Sequence, residues 1–255
     1  MFTIIEANPQ ASMRLFCFPY AGGGATIYHQ WRKKLPSSVE IVGAHLPGRG
    51  TRLQETAFTR MTRMVEVLGE AIIPYLDKPF AFFGHSMGAV TGYELACWLR
   101  DQNYPQPVRL FVSGQRAPQL PNTDPVTYNL PDADFIRELS SLNGTPKEAL
   151  AHPELMAIML PLLRADFEVV ETYAHEPKAP LDCPIIAFGG MQDDKVTREQ
   201  LEAWHQQTTG PFSARVLPGD HFFLHSHQDL LLRMLSYELS RVAVNLGPPR
   251  TLVIH

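Results

Sequence analysis

Cysteine is scarce in this chain, with three among 255 residues. Cys17, Cys97 and Cys183 lie far apart. They form no metal-ligand spacing and no even-numbered framework, a pattern that suits a reducing compartment. An excess of positive charge is missing too, since 22 Lys and Arg stand against 26 Asp and Glu for a formal charge of -4. That balance offers no overall attraction to polyphosphate and argues against a nucleic-acid partner. The N-terminus has no basic stretch followed by an apolar one, so no signal peptide is expected. The longest nearly unbroken apolar stretch, 155–163, is about half of the ~20 residues a membrane span needs and contains Pro161. No repeat or low-complexity segment occurs. The expectation is a soluble, cytoplasmic protein with no membrane partner.

What is present is a rhythm. Short apolar runs at 14–19, 40–46, 80–84, 109–113, 184–189 and 214–217 read as strands, and their near-continuous hydrophobicity fits parallel strands buried on both faces. Helical patterns lie between them at 59–76, where Pro74 should fray the end, at 89–100, and at 227–244 before Gly247-Pro248-Pro249. Thr197 and Gln200 make a capping box for another helix reaching about Thr208. The fold class is α/β, a mostly parallel sheet flanked by helices within a single domain, 1–255. From 117 to 180 no strand pattern appears, and Pro125, Pro131, Pro146, Pro153 and Pro161 interrupt helical ones. This segment reads as a helical lid inserted between two strands. Its Met156, Ile158, Met159, Leu162, Leu163, Phe167 and Val170 exceed what one packed face needs. Met156, Met159, Leu163 and Phe167 are therefore candidate substrate contacts.

Chemistry is concentrated at Gly84-His85-Ser86-Met87-Gly88, between an apolar run and a helical pattern. That is the context of a nucleophile elbow, where glycines on either side of a serine relieve crowding at a tight strand-to-helix turn. A serine hydroxyl needs a base to take its proton. On such a fold an acid follows a later strand and a histidine comes last. Asp193 and Asp194 both follow the run at 184–189; Asp193 is preferred, because Asp194 stands beside Lys195 near the next helix. His221, in a Gly-containing loop after the last strand, is the candidate base. His221 and His225 are four apart, yet no H-E-x-x-H glutamate accompanies them, so no metal is expected. Oxyanion donors would be the amides of Met87 and, in the loop Pro19-Tyr20-Ala21-Gly22-Gly23-Gly24, of Ala21. That loop lacks the G-x-x-x-x-G-K-[ST] pattern of a phosphate cradle.

Six motifs in order carry a family resemblance: Phe18-Pro19-Tyr20-Ala21-Gly22-Gly23, Leu46-Pro47-Gly48-Arg49, Gly84-His85-Ser86-Met87-Gly88-Ala89, Leu160-Pro161-Leu162-Leu163-Arg164-Ala165-Asp166-Phe167, Gly189-Gly190 before Asp193, and Gly219-Asp220-His221-Phe222-Phe223. Together they make the chain, from about 14 to 235, resemble the type II thioesterases of polyketide and nonribosomal peptide synthesis. The resemblance implies an α/β-hydrolase fold. It implies a cofactor-free serine hydrolase that clears acyl groups from the phosphopantetheine arm of acyl or peptidyl carrier proteins. Its nucleophile, acid and base would be Ser86, Asp193 and His221. A medium-chain fatty acyl-carrier thioesterase and a lipase or esterase acting on small oxygen esters remain alternatives. Because carrier proteins are commonly acidic, docking is expected near the lid and Arg49, Arg52, Arg60 or Arg63. The tail 245–255 falls outside the resemblance and receives no role.

Overall fold

Seven strands form one sheet: β1 (Phe2–Ile4), β2 (Met13–Phe18), β3 (Val39–Ala44), β4 (Phe80–His85), β5 (Arg109–Ser113), β6 (Ile185–Gly190) and β7 (Phe212–Leu217). Their order in this computed structural model, which describes residues 1–142, 144 and 147–246, is β1-β3-β2-β4-β5-β6-β7. Strands β2 to β7 pair in parallel, and β1 lies antiparallel on β3 at one edge. Every residue of β2, β3, β4 and β6 is buried, which accounts for their unbroken apolar pattern. Of the exceptions, His85 ends β4, while Arg14 and Glu40 sit opposite each other in register and pair at 2.8 Å. The edge strand was not expected; three residues are too few for a period, and Phe2 holds the segment by packing edge-on against Phe16 at 5.4 Å.

Helices cover both faces: α1 (Met61–Ile72), α2 (Met87–Asp101), α3 (Asp132–Ser141), α4 (Lys147–Leu150), α5 (Pro153–Glu171), α6 (Arg198–Glu202), α7 (Phe223–Ser226) and α8 (Gln228–Leu246). On one face Phe16, Phe18, Phe80 and Phe82 pack with residues of α1 and α2. On the other, Leu15, Phe83, Phe111 and Phe188 meet α8 and Tyr28 and Trp31 of a 3-10 stretch, Ala25–Lys33. Helix α1 ends before Pro74, which lies in a 3-10 turn. The Thr197–Gln200 capping box forms with both hydrogen bonds, although the α-helical part behind it is only five residues before 3-10 geometry takes over. Gly247-Pro248-Pro249, the rest of the tail and Pro146 lie outside the described residues.

Between β5 and β6 the chain forms α3, α4 and α5. Here the expectation of repeated proline breaks needs correction. Pro153 starts α5 and Pro131 caps α3, positions where a missing N–H costs nothing, while Pro161 sits inside the continuous 19-residue α5. Ala157, whose carbonyl loses its partner, is exposed and open to water, so the helix persists. These helices share a core of their own: Phe135, Leu139, Met156, Leu160 and Leu163.

All three cysteines are buried and unpaired. Burial pushes the Cys97 thiol up to about 11 and that of Cys183 up to about 12, and raises Cys17 well above its ordinary value. Among the described residues no helix is long and apolar enough to cross a membrane.

Phe82 stands at the centre of the ring cluster, 5.7, 5.2 and 5.2 Å from Phe16, Phe18 and Phe80. Phe82→Ala is expected to lower the unfolding free energy by about 3–5 kcal/mol, read from urea denaturation; a loss below about 1 kcal/mol would contradict this packing.

Candidate active site

Strand β4 delivers Ser86 to the first turn of α2 in a conformation that side chains rarely adopt, φ 53° and ψ −119°. Crowding dictates the flanking residues. A Cβ at Gly84 would overlap the Gly88 carbonyl, and one at Gly88 would overlap the Phe18 carbonyl. The turn is held from the side by the Ser86 N–H, which donates to Ser113 O at 2.8 Å. Met87 is the first residue of α2, where amides have no intrahelical acceptor. The Ala21 amide, in the loop after β2, donates to no backbone carbonyl among the described residues.

Beyond β6 and β7 two loops run together. The Gln192 N–H donates to Gly219 O at 2.9 Å, and the Gly219 N–H returns a bond to Gln192 Oε1 at 2.6 Å. Gly190 permits the approach, since a Cβ there would strike the Asp220 and Gly219 carbonyls. Stitched in this way, the loops set Asp193 Oδ2 2.9 Å from His221 Nδ1. The Asp193 side chain is fully buried, and its second oxygen accepts the Lys195 N–H at 2.9 Å. Asp194 is exposed. Of the two neighbouring carboxylates, Asp193 therefore contacts the imidazole.

Ser86, His221 and Ala21 line one cavity of about 140 Å³, with Tyr20, Gln115, Phe167, Val170 and Phe222 among its other walls. No hydrogen bond joins Ser86 to His221 in this conformation, a contact that commonly tightens only when substrate binds. Larger clefts of about 380 and 460 Å³ run along α1, α2 and the segment after α5; the second shares Gln115 and Val170 with this cavity, and neither is lined by Ser86 or His221.

Of the four apolar contacts expected from the inserted helices, Phe167 reaches the cavity. Met156 and Met159 pack in the small core around Phe135 and Leu139 instead, and Leu163 bridges that core and Gly22 of the loop after β2. Tyr20, Gln115 and Phe222 are given no role by the sequence, though Tyr20 and Phe222 stand inside two of the quoted motifs. Among the expected docking arginines, Arg60 and Arg63 keep exposed side chains and Arg49 does not. Arg49 is buried, bound to Asp166, and unavailable to a partner. Arg52, Arg60 and Arg63 are paired with Glu55, Glu168 and Glu66.

His85 is wholly buried beneath the site. Its Nδ1 bonds Ser113 Oγ at 2.9 Å, and its ring lies 5.2 Å from that of His221. Burial first, and then the neighbouring His221 and His225, hold its pKa well below the ordinary 6.5. His225 shares a 2.8 Å hydrogen bond with the Tyr20 hydroxyl. Among the described residues no three His, Cys, Asp or Glu side chains gather as a metal site.

Comparison with known proteins adds a family. The thioesterase domain family matches residues 13–239. The gramicidin S biosynthesis protein GrsT of Aneurinibacillus migulanus is 45% identical over 241 residues, 94% of each chain. The linear gramicidin dehydrogenase LgrE of Brevibacillus parabrevis, whose name gives it a redox chemistry, is 44% identical over 242 residues, 94% of this chain and 92% of that protein. The solved structure of RedJ, a thioesterase from the prodiginine biosynthetic pathway in Streptomyces coelicolor, superposes with a TM-score of 0.86 at 40% identity, covering 91% of this chain and 92% of its own.

The buried imidazole of His85 sets a pH dependence. In the unfolded chain it takes a proton below about pH 6.5, whereas the folded protein resists that proton to lower pH. Stability present above 6.5 is therefore lost as pH falls, by up to about 1.4 kcal/mol per pH unit from this group. Urea unfolding between pH 7.5 and 5 should show a shallower decline for His85→Gln than for the unaltered protein. Equal slopes would mean that His85 is not held neutral.

Proposed function

The chain belongs to the thioesterase domain family and is a hydrolase acting on thioesters, and on that premise we propose that it uses Ser86, Asp193 and His221 to remove acyl groups from the phosphopantetheine arm of acyl or peptidyl carrier proteins. Its place would be that of an editing, type II enzyme beside a polyketide or nonribosomal peptide synthase, as the similarity to GrsT and RedJ suggests. One observation carries the assignment of residues: a buried carboxylate bonded to an imidazole that shares a cavity with a serine on a strained turn.

His221 takes the Ser86 proton through Nε2 while Asp193, on Nδ1, holds the ring's tautomer and stabilises the imidazolium. The alkoxide attacks the thioester carbonyl. The amides of Ala21 and Met87 receive the charge that develops on oxygen, at the positive end of α2. The thiol, with a pKa of about 8.5, leaves readily. Water activated by the same imidazole then frees the acid. The inserted helices act as a cover for this cavity through Phe167 and Val170. No cofactor takes part in these steps.

At about 140 Å³ the cavity beside Ser86 is smaller than the ~300–1,000 Å³ of pockets that hold drug-sized ligands, and a medium chain would have to run past Gln115 and Val170 into the adjoining cleft, so short acyl groups are the substrates proposed. The loop Gly22-Gly23-Gly24 lacks the G-x-G-x-x-G pattern of a dinucleotide site, so nothing in it favours the redox chemistry in the LgrE name.

Hydrolysis of a panel of acyl groups on carrier protein, beside p-nitrophenyl esters, tests the proposal. Acetyl and propionyl carriers should turn over about tenfold or more faster than decanoyl carrier. Faster release of decanoate would support the medium-chain alternative, and efficient turnover of the nitrophenyl esters alone would support an esterase. Ser86→Ala should lower kcat by roughly 10⁴-fold or more, Asp193→Asn by roughly 10³–10⁴-fold, and Asp194→Asn by less than about threefold. Comparable losses at both aspartates would undo the assignment of the acid.

A further inference from the structure

Asp166 belongs to α5, among the inserted helices, yet its carboxylate is buried beneath the loop after β2. Oδ2 accepts the Gly22 N–H at 2.7 Å and Arg49 Nη1 at 2.9 Å, and Oδ1 accepts Arg49 Nη2 at 2.8 Å. Arg49, from the loop after β3, extends to the Gly23 carbonyl at 2.7 Å and that of Pro47 at 3.2 Å. Leu163, almost one turn earlier on α5, seats against Gly22. A single fork of hydrogen bonds therefore ties three distant segments together, and Gly22 adjoins the residue to which the second oxyanion donor was assigned.

We propose that Arg49 and Asp166 are positioning residues, which fix the Ala21–Gly22 segment relative to Ser86 and so set the oxyanion donor of the reaction. The inference rests on the assignment of Ala21 and Ser86 made above. Gly22, at φ +78°, is the third residue of a turn closed by the Gly23 N–H on Tyr20 O at 2.9 Å, which shapes the segment internally but leaves its place relative to Ser86 to be defined by something else. The Asp166 carboxylate supplies that definition by holding the very next amide to Ala21. Stability alone is a weak reason for such an arrangement, since removing two charges from water offsets most of their attraction, and apolar side chains fill such a space as well. What the planar guanidinium adds is direction: two parallel bonds to one carboxylate and two more to loop carbonyls leave little rotation. An amide displaced by about 1 Å from its place would lower the rate by as much as about 100-fold.

The test separates position from folding. Asp166→Asn keeps the shape and one acceptor but loses the charge that orders the fork. It should lower kcat roughly 10- to 100-fold with KM within about twofold. Affinity for an alkylboronic acid, whose tetrahedral adduct on serine carries the oxyanion, should fall by the same factor. Affinity for the product acid should not change. Arg49→Lys, which keeps the charge without the fork, should show the same proportion between kcat and boronate affinity at a smaller loss, and it serves if Asp166→Asn does not fold. Full kcat in either folded variant, or a reduced kcat with boronate affinity per active site intact, would overturn the proposal. Turnover that persists in Ser86→Ala would instead overturn the assignment of the nucleophile, a separate result.

Discussion

The site depends on how closely a helix can approach the ends of two strands. The first turn of α2 lies against the backbone of β2 and β4, with the Gly88 carbonyl where a Gly84 side chain would be and the Phe18 carbonyl where a Gly88 side chain would be. That contact forces Ser86 into its strained conformation and raises its hydroxyl above the sheet. It also brings the end of β2, and so the loop bearing Ala21, to the same edge as the start of α2. Both proposed oxyanion donors are thereby consequences of a single packing distance. The parallel arrangement of β5, β6 and β7 then carries the acid and the imidazole to the same edge in sequence order.

Helix α5 has two loyalties. Its N-terminal half closes a small apolar core with α3, and Ile158 stands exposed on its outer side. Its C-terminal half is fastened to the body by Asp166 and presents Phe167 and Val170 to the cavity. Displacing the C-terminal half of α5 from the body would leave a buried carboxylate and a buried guanidinium apart from each other.

The sheet is legible in the sequence because buried parallel strands need continuous apolar runs, and six of them stand within two residues of where those runs predict. Ser86, Asp193 and His221 are legible because their loops carry glycines that close approach demands. Less legible are features without a period or a spacing. Edge strand β1 is too short to show alternation, and the 3-10 stretch at Ala25–Lys33 has no 3.6-residue stripe. The partnership of Arg49 with Asp166 spans 117 positions. Both residues sit inside the quoted motifs, but nothing local distinguishes a buried arginine from a solvated one, so Arg49 reads as a docking residue until its partner is seen. The same limit applies to Met156 and Met159: composition marks them as apolar and adaptable, and only the presence of α3 decides which side they face.

An enzyme of this family releases a free thiol at each turnover, and that thiol is itself a nucleophile. Cys17, Cys97 and Cys183 are sealed in the interior as neutral thiols, with Cys97 and Cys183 raised to about 11 and 12. None can present a thiolate to an incoming acyl group or exchange sulfur with the liberated arm. The three thiols are thus held out of reach of both the acyl substrate and the liberated arm.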